Sequence, residues 1–593
     1  MSGDHAANPV TYDVVICGAG LAGLTLARQL RQEQPELDVA LVDALERPLP
    51  EAAHKVGEST VEVGSQYLER LGLADYLCDR HIVKFGLRFF PGGGDLPIHR
   101  RSEIGPSQEA PLRSYQLDRG RFENDLRGMN EADGVSLLEG WRVRDLMLAE
   151  GQGLHGVGLQ RGEEALELRA RWVVDASGRT ALLRRRLGLK RSNGHLASAA
   201  WFRVRGRLDV NELAPREREA QHWYSHPLAE HRWRSTNHFM GKGYWVWWIP
   251  LASGNTSVGI VIHEECFGFE QVRSLERALA FLERHEPHVA GALAGKEVLD
   301  FRCLYRYSHD TACSWSAQRW ALVGEAGAFV DPLYSPGTDF IALANTFTCE
   351  LIARDVAGEP LPRHCTQLNE RYEAFVVNTT ELFRMAAPVY GHPRAMAAKI
   401  YFDNFGYWAF MAQYFQQRAY RWEERWHNAF TQCGVRFIEC SGYMQSLLRA
   451  WAELTREDPR PGFFAMPKFP SLAVDAYLDL QQEWSPEAAL ERVRLRVRQA
   501  EQMAAELLLR VVAELGPEHV GELCQRAGVA AWRLRVDAQR LELEGLEGIR
   551  RRHALSPVVR DVERCLGRIR RHPDWRRAVD DLLRRWSSST AAV

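Results

Sequence analysis

Three glycines with the spacing GxGxxG give the first indication of chemistry in this sequence. Gly18, Gly20 and Gly23 lie between an apolar segment, 12–17, and a helix-like segment, 21–33. In this context the first glycine permits a tight turn, the second lets the backbone approach a pyrophosphate, and the third lets the helix pack closely on the strand. The spacing therefore predicts a binding site for a dinucleotide.

An acidic residue follows at the position that such a site needs. Asp43 ends a second apolar segment, 38–43, twenty residues after Gly23, and is placed to bind a ribose hydroxyl. Ala19 and Ala22 complete the predicted glycine turn. The motif does not distinguish FAD from NAD, so other residues must decide between them.

Two later turns favour FAD. Asp175 opens the segment DASGR after an apolar strand, and Gly324 with Glu325 opens a second turn of this kind. Here the chain resembles the large flavoprotein group that includes the aromatic hydroxylases, in which such turns return to the flavin. Glu325 replaces that group's aspartate. Arg119 in YQLDR resembles the arginine that the group places near the flavin, although a surface ion pair is an alternative role for it.

Three further motifs resemble those of the flavin-dependent halogenases. Trp245 and Trp247 belong to WVWWIP, which matches the family's WxWxIP pattern, and residues 329–337, FVDPLYSPG, match its FxxPxxSxG pattern. Lys84 follows the segment Gly57-Glu58-Ser59 and resembles the family's catalytic lysine. The joint occurrence of three spaced motifs is more specific than any one of them.

The resemblance covers roughly residues 10–450 and implies a reaction of reduced FAD, dioxygen and chloride or bromide that yields hypohalous acid. Trp245 and Trp247 would form a wall between flavin and substrate. Lys84 would bind the hypohalous acid by a hydrogen bond, or form a haloamine, and present the halogen to an aromatic carbon. Considered alone, the tryptophans are better explained as same-face residues of a sheet core, and a lone lysine usually reaches the surface; the Ile-Pro ending and the other motifs favour the functional interpretation.

The resemblance also implies the remaining site residues. Ser335 joins Lys84 and the two tryptophans in the predicted catalytic set, and the backbone N–H groups of Gly337 and Thr338 are the predicted halide donors. Further residues are predicted to contact the flavin: Glu58, Ser59, Asp331, Pro332 and Gly337.

Pro336 and Tyr334 depart from the family pattern. Pro336 stands where a backbone N–H helps to bind halide, and proline has none to donate, so halide either binds with one altered contact or does not bind. Tyr334 replaces the glutamate of the tryptophan-modifying branch, which favours phenols, pyrroles and other electron-rich rings over free tryptophan. Asp339 offers a carboxylate one turn later, or else is a first-turn acid that satisfies backbone donors.

The elements that must position these residues suggest an α/β FAD-binding domain of the Rossmann-like type, with an antiparallel β-sheet substrate domain and a helical C-terminal region. We expect the FAD-binding domain over 1–350, with the sheet interleaved at about 85–115 and 195–310. A helical substrate-covering region is expected over 351–456 and a charged helical extension over 457–593.

Composition excludes several classes of function. The net charge of −2 argues against general nucleic-acid binding, and no apolar run approaches the roughly 18 residues that span a membrane. The 11 cysteines contain no CxxC pair, which favours a reducing compartment and predicts no metal site. With a polar first ten residues that do not resemble a signal peptide, we expect a cytoplasmic enzyme of natural-product biosynthesis.

Partners follow from the same interpretation. No separate NAD(P)H-binding unit is visible, so reduced FAD is expected from a separate flavin reductase. The substrate is expected to be a small aromatic compound, free or tethered to a carrier protein, and the enzyme to be a monomer or homodimer. Arginine clusters over 550–586 suggest either an acidic docking partner or, as we prefer, a solvated face with internal salt bridges.

Two other functions remain open at this point. Pro336 favours a flavin monooxygenase or oxidase of the same fold that does not use halide. A non-catalytic flavoprotein is the third interpretation, although a scaffold has no need of the cation at Lys84.

Overall fold

The computed structural model of the 593-residue chain describes residues 10–50, 55–455, 462–465, 471–528, 557–567 and 571–590.

The strands within these ranges build two large sheets and two short ribbons. In chain order they are β1 (Val10–Cys17), β2 (Val39–Asp43), β3 (Ile82–Val83), β4 (Leu87–Phe90), β5 (Glu103–Gly105), β6 (Tyr115–Gln116), β7 (Ser136–Glu139), β8 (Arg142–Met147), β9 (His155–Arg161), β10 (Glu164–Asp175), β11 (Lys190–Arg191), β12 (Ala197–Val204), β13 (Thr236–Gly241), β14 (Tyr244–Pro250), β15 (Thr256–His263), β16 (Val298–Leu304), β17 (Asp310–Thr311), β18 (Trp315–Ser316), β19 (Trp320–Leu322) and β20 (Phe463–Ala465).

The helices are concentrated in the second half of the chain. They are α1 (Leu21–Glu33), α2 (Glu62–Leu68), α3 (Ala74–Arg80), α4 (Arg119–Ala132), α5 (Leu182–Arg186), α6 (Gln221–Tyr224), α7 (Leu275–His285), α8 (Pro287–Leu293), α9 (Gly337–Val356), α10 (Pro362–Arg384), α11 (Ala387–Tyr390), α12 (Pro393–Gly406), α13 (Gln413–Gln416), α14 (Glu424–Leu454), α15 (Leu472–Leu478), α16 (Pro486–Leu515), α17 (Val520–Ala527), α18 (Pro557–Leu566) and α19 (Trp575–Thr590), with π-helical turns at Glu69–Leu73 and Tyr407–Ala412.

The first sheet carries the glycine motif. β1 lies between β2 and β10 and is parallel to both, and β7 and β19 extend the parallel arrangement on either side. The last four residues of β1, 14–17, are wholly buried, as expected for a parallel strand that is covered on both faces. The predicted Rossmann-like domain is therefore confirmed.

The second sheet has the order β16-β12-β15-β14-β13-β4-β5-β20. Its strands from β16 to β13 are antiparallel, which confirms the predicted antiparallel sheet. β13 and β4 pair in parallel, as do β5 and β20. The sequence did not indicate these two pairs, because strands far apart in the chain are free of the hairpin constraint that makes neighbouring strands antiparallel.

The C-terminal extension packs on the helical region that precedes it. α16 lies along α14, and both contribute buried side chains, such as Leu447 and Leu507, to one apolar cluster. Ion pairs join the two parts as well, with Arg394 Nη1 at 2.7 Å from Glu514 Oε1 and Arg436 bound to Glu501. The extension thus buttresses the helices beside the site.

Of the arginine clusters, Arg550–Arg552, Arg568 and Arg570 lie outside the described residues. On α19, Arg584 and Arg585 lie 3.9 and 3.0 Å from the carboxylate of Asp581, which fits a helical face with internal salt bridges. Within the ranges given above, no helix is long and apolar enough to cross a bilayer.

Candidate active site

The glycine turn has the geometry of a phosphate cradle. Gly18 has φ +118°, and a Cβ on Gly23 would lie 1.9 Å from the Gly18 carbonyl oxygen, so neither position accepts a side chain. Gly20 is the N-cap of α1 and offers no side-chain cap to the N–H groups of the first turn. These unsatisfied donors and the helix dipole suit the pyrophosphate of FAD.

Asp43 lies against this turn. Its Oδ2 accepts a hydrogen bond from Ala19 N at 2.6 Å, and its Oδ1 accepts one from Leu45 N at 2.7 Å. Arg127, buried beneath, lies 3.5 Å from the same carboxylate. The carboxylate is thus fixed beside the turn, where a ribose hydroxyl is expected.

The turn that begins at Asp175 touches the glycine turn directly, because a Cβ on Gly18 would meet the carbonyl oxygen of Ala176 at 2.4 Å. The Asp175 carboxylate is buried and accepts hydrogen bonds from Ser177 N, Ser177 Oγ and Leu183 N, at 3.0, 2.6 and 2.8 Å. Its role is therefore to shape the turn, and any contact with FAD falls to the backbone that it positions.

The second turn also approaches α1. Gly324 has φ +59°, and a Cβ there would lie 2.9 Å from the Ala22 side chain. Glu325 is about one-third exposed and pairs with Arg179 at 2.9 Å. The longer side chain at this position is thus held by a neighbouring arginine.

Arg119 and Glu58 fix the segment that precedes Ser59. Arg119 donates to Val56 O at 2.8 Å and binds Glu123, so its guanidinium is internal and the surface alternative for it is wrong. Glu58 accepts from Arg203 Nη2 at 2.8 Å. Burial raises the pKa of Glu58, and Arg203 opposes that shift.

A small cavity, which we call the motif cavity, collects residues from all three halogenase-like motifs. It has a volume of about 40 Å³. Its lining residues are Val56, Gly57, Glu58, Ser59, Thr236, His238, Trp245, Trp247, Ile249, Phe329, Pro332, Ser335 and Gly337. Segments that are far apart in the sequence thus meet at one point.

Trp245 and Trp247 form one wall of the motif cavity. Both are buried, and their ring centroids lie 5.6 Å apart at an angle of 43°. The Trp247 ring covers Gly259 on β15, where a Cβ would lie 2.0 Å from the ring. A glycine on the neighbouring strand therefore sets the position of this tryptophan, a partner that the WxWxIP pattern does not reveal.

The turn that contains Ser335 is strained. Tyr334 and Ser335 have φ values of +48° and +59°, which non-glycine residues rarely adopt. Asp331 Oδ1 accepts from Leu333 N at 2.8 Å, and Pro332 O accepts from Ser335 N at 3.0 Å. This turn ends at Pro336, the N-cap of the 20-residue helix α9.

The start of α9 fits an anion. The N–H groups of Gly337 and Thr338 belong to the first helical turn, and a Cβ on Gly337 would meet nothing within 4 Å. Thr338 is buried, and its Oγ1 makes no hydrogen bond with any residue that the structure describes. The donors that remain beside Pro336 are thus available to a halide.

Lys84 lies at the junction of the motif cavity and a second, larger one. Its side chain is 4% exposed, and Nζ donates to Ser59 Oγ and Thr60 O, both at 2.8 Å. Burial lowers the pKa of Lys84 to about 7, against the opposing effects of Glu62 and Asp339. The alternative of a lysine that extends to the surface is wrong for this residue.

The larger cavity, which we call the helical cavity, has a volume of about 370 Å³. Its wall combines the segment around Lys84 with residues of α10, α12, α14 and the turn at Tyr407–Ala412. Lys84 lines this cavity while its hydrogen-bond partner Ser59 lines the motif cavity. One hydrogen bond, from Lys84 to Ser59, therefore links the walls of the two cavities.

Asp339 also faces the helical cavity and is fully buried. Its Oδ1 accepts from Gly64 N at 2.7 Å on α2, and its Oδ2 makes no hydrogen bond with any described residue. Burial raises the pKa of Asp339 to about 8. This partner is a backbone N–H in the first turn of α2, so Oδ1 satisfies a backbone donor, as the alternative role predicts, but on another helix.

Two further residues, Glu62 and Asp403, were not identified from the sequence. Glu62 lines the helical cavity close to Lys84, and burial raises its pKa. Tyr334 OH donates to Asp403 Oδ2 at 3.0 Å, and Asp403 pairs with the buried Lys399 at 2.8 Å. The only signal for Glu62 was an acid shortly after Ser59, and nothing in the sequence indicated the pairing of Tyr334 with Asp403.

Asp331, predicted to contact the flavin, instead directs its carboxylate into a buried cluster. Asp331 Oδ2 lies 2.7 Å from His195 Nε2 and accepts from Tyr307 OH at 2.5 Å. Together with His263, the ligand atoms of His195 and Asp331 lie within 4.8 Å of one another, a donor set that suits a cation. Protein donors already satisfy the carboxylate, which accounts for its burial.

Comparison with known proteins places these features in context. A model of the FAD-binding domain matches residues 11–266. The chain is 27% identical to the flavin-dependent halogenase chlA of Dictyostelium discoideum, over 68% of this chain and 70% of that protein. It is also 27% identical to the 1H-pyrrole-2-carbonyl-[peptidyl-carrier protein] chlorinase of Pseudomonas fluorescens, over 55% of this chain and 72% of the relative.

Among solved structures, the fold is similar to that of the halogenase PltM. The TM-score is 0.61 at 14% identity, and the match covers 83% of this chain and 96% of that one. The similarity extends beyond the matched FAD-binding domain into the helical region.

Proposed function

We propose that this chain, which belongs to the flavin-dependent halogenase family and is an FAD-dependent oxidoreductase, uses reduced FAD, dioxygen and halide to halogenate an electron-rich aromatic compound. The observation that carries the proposal is Lys84, a buried cation that lines the helical cavity and donates to Ser59 in the motif cavity. Substrates are phenols, pyrroles or similar rings, free or bound to a carrier protein.

FAD supplies, when bound and reduced, the two electrons that activate dioxygen. In this proposal the glycine turn and Asp43 hold its nucleotide end, and residues of the motif cavity contact its ring. We infer that a separate flavin reductase delivers the reduced cofactor.

The two tryptophans keep the aromatic substrate out of the motif cavity. Halide is held at the start of α9 by the N–H groups of Gly337 and Thr338, whose partial positive charge favours an anion. Hypohalous acid then passes towards Lys84, which lines the helical cavity and donates to Ser59 in the wall of the motif cavity. Confinement gives this indiscriminate oxidant a defined target.

Lys84 and Asp339 have different roles at the aromatic ring. Lys84 orients the halogen donor by hydrogen bonding, and the ring carbon takes the halogen while the oxygen leaves as water after accepting a proton. The Asp339 carboxylate, buried in the wall of the helical cavity beside the Tyr407 hydroxyl, is placed to accept the proton that the ring carbon loses. A carboxylate with a pKa near neutrality suits this transfer.

Tyr334 argues against the arrangement of the tryptophan-modifying branch. The Tyr334 side chain donates to Asp403 and cannot act as the glutamate that the tryptophan-modifying branch has before the serine, here Ser335. A carboxylate for the aromatic ring must therefore come from another residue in the wall of the helical cavity. This supports phenols and pyrroles over free tryptophan.

Pro336 favours a second candidate, a monooxygenase that inserts oxygen without halide. Supplying FAD, flavin reductase, NADH, oxygen and chloride or bromide with a panel of phenols, pyrroles and indoles separates the two. We expect the halogen isotope pattern in the product mass spectrum. An oxygenated product whose amount is independent of halide would support the monooxygenase instead.

The matched variants for this assay are Lys84→Met and Lys242→Met. Lys84→Met keeps a side chain of similar length without its charge and is expected to lower halogenation by about 100-fold or more. The exposed Lys242 serves as the control, and its variant should behave like the unmodified enzyme. Retained FAD binding by Lys84→Met distinguishes loss of chemistry from loss of structure.

A further inference from the structure

We infer, on the basis of the proposed function, that the acceptor is an aryl alkanoic acid: an electron-rich ring at Lys84 with an aliphatic chain that ends in a carboxylate at Arg371. Three features of the helical cavity carry this inference: its length, its apolar middle and a buried arginine at its far end.

The helical cavity is much longer than one aromatic ring. It is lined along α10 from Phe383, whose ring lies 5.6 Å from that of Tyr334, to Gln367. Sixteen residues of helix span about 24 Å. The parallel wall of α14 is lined from Ser441 to His427. A single aromatic ring would fill only part of this space.

The middle of the cavity is apolar. Phe375, Phe410 and Phe437 contribute to its wall, and the rings of Phe410 and Phe437 stack at a centroid distance of 4.0 Å. Such a lining stabilises methylene groups in proportion to the area that they bury.

Arg371 lies towards the far end, twelve residues or about 18 Å along α10 from Phe383. It is 7% exposed and lines the cavity. Its described partners are uncharged: Nη2 donates to Thr431 Oγ1, and the guanidinium lies 5.5 Å from the centre of the Tyr414 ring. Its Nε makes no hydrogen bond, and no described carboxylate lies within ion-pair distance.

A buried guanidinium of this kind is costly unless it meets an anion. A substrate carboxylate supplies that charge and suits the forked geometry of arginine. The two ends of the cavity thus select two ends of one molecule, with the oxidisable ring at Lys84 and the acid at Arg371.

Equilibrium binding to the full-length chain tests the chain-length requirement. The probes are dihydroxyphenyl alkanoic acids of increasing chain length, measured by quenching of tryptophan fluorescence. We expect Kd to fall about fourfold per methylene group until the carboxylate reaches Arg371, and then to stop falling. A Kd that does not depend on chain length would overturn the inference.

Two glycines of α14 give a matched pair of variants. A Cβ on Gly434 or on Gly442 would meet nothing within 4 Å, and Gly434 lines the cavity whereas Gly442 does not. Gly434→Leu is expected to weaken binding of the long acids by about tenfold or more and to leave the shortest acid unaffected. Equal effects of Gly434→Leu and Gly442→Leu would contradict the assignment.

The carboxylate is tested with methyl esters of the same acids. The long acid is expected to bind at least about tenfold more tightly than its ester, and Arg371→Met should abolish that difference while Arg371→Lys partly retains it. A pantetheine derivative of the ring that binds more tightly than the chain-matched acid would point to a carrier-bound substrate instead.

Binding needs neither halide nor oxygen, so the two proposals fail separately. Chain-length dependence without halogenated product would leave this inference intact and overturn the proposed function. Halogenated product without chain-length dependence of binding would support the proposed function and overturn this inference.

Discussion

Three ionisable side chains lie together in the wall of the helical cavity: Lys84, Asp339 and Glu62. Lys84 and Asp339 are buried and Glu62 is partly buried, so burial disfavours the charged form of each, while the attraction of the lysine to the two acids favours it. The pKa of Lys84 lies near 7 and that of Asp339 near 8. Protons therefore redistribute at this site close to neutral pH, which is what proton transfer at a ring carbon requires.

Asp339→Asn tests the role of this carboxylate. The amide oxygen of this variant can still accept from Gly64 N, but the amide cannot take the proton of the ring, so kcat should fall by about 10- to 100-fold. The wild-type kcat should rise as pH approaches 8, and the variant should lose that rise. A pH profile of kcat that is unchanged in the variant would remove Asp339 from the mechanism.

Stability gives an independent readout of the same group. Its pKa in the folded protein is raised from the ordinary 3.8 to about 8, so the folded state holds a proton that the unfolded state loses. Wild-type stability should therefore fall as pH rises through this window, whereas Asp339→Asn should not show that loss. We expect urea unfolding to show that, between pH 5 and pH 9, the free energy of unfolding of Asp339→Asn rises relative to that of the wild type by ~2 kcal/mol or more.

At the scale of elements, β14 and β15 set the tryptophan wall. Gly259→Ala would press a methyl group into the Trp247 ring. We expect the displaced wall to lower halogenated product per reduced FAD consumed by about tenfold, while consumption itself continues. The matched control is Gly158→Ala on β9, where a Cβ meets nothing closer than 3.7 Å. Unchanged coupling in the Gly259 variant would argue against the wall.

The start of α9 is the second element with a defined task. Pro336→Ala restores one backbone N–H at a φ of −77° that alanine adopts without strain. If halide binds here, the added donor should lower the KM for bromide by about tenfold. The KM for the aromatic substrate should stay the same. A bromide KM that does not change would place the halide elsewhere.

The sequence predicted the elements that carry motifs and little of what lies between them. The glycine turn, β14 and the turn before α9 each follow from a local pattern. The contacts of Asp339 with Gly64 and of Arg371 with Thr431 join residues far apart in the chain, and the cover that Trp247 gives Gly259 joins two neighbouring strands. Spacing along one segment contains no information about such contacts, because tertiary packing decides them.

At the scale of the whole molecule, the extension supports the wall of the helical cavity. α16 covers the face of α14 that points away from that cavity, and both share one apolar core. Truncation after residue 455 would expose side chains such as Leu447 and Leu448. We expect the truncated chain to be insoluble, or to unfold well below the full-length protein in a thermal scan. A truncated chain with unchanged Tm would show that the extension is independent.

The central claim is that the oxidant reaches the substrate as halogen and not as oxygen. A single turnover reaction with heavy-oxygen-labelled dioxygen, bromide and an accepted phenol tests it most directly by mass spectrometry of the product. The account predicts a product that carries bromine and no heavy oxygen, and that is lost in Lys84→Met. A product that carries heavy oxygen whether or not bromide is present would contradict it.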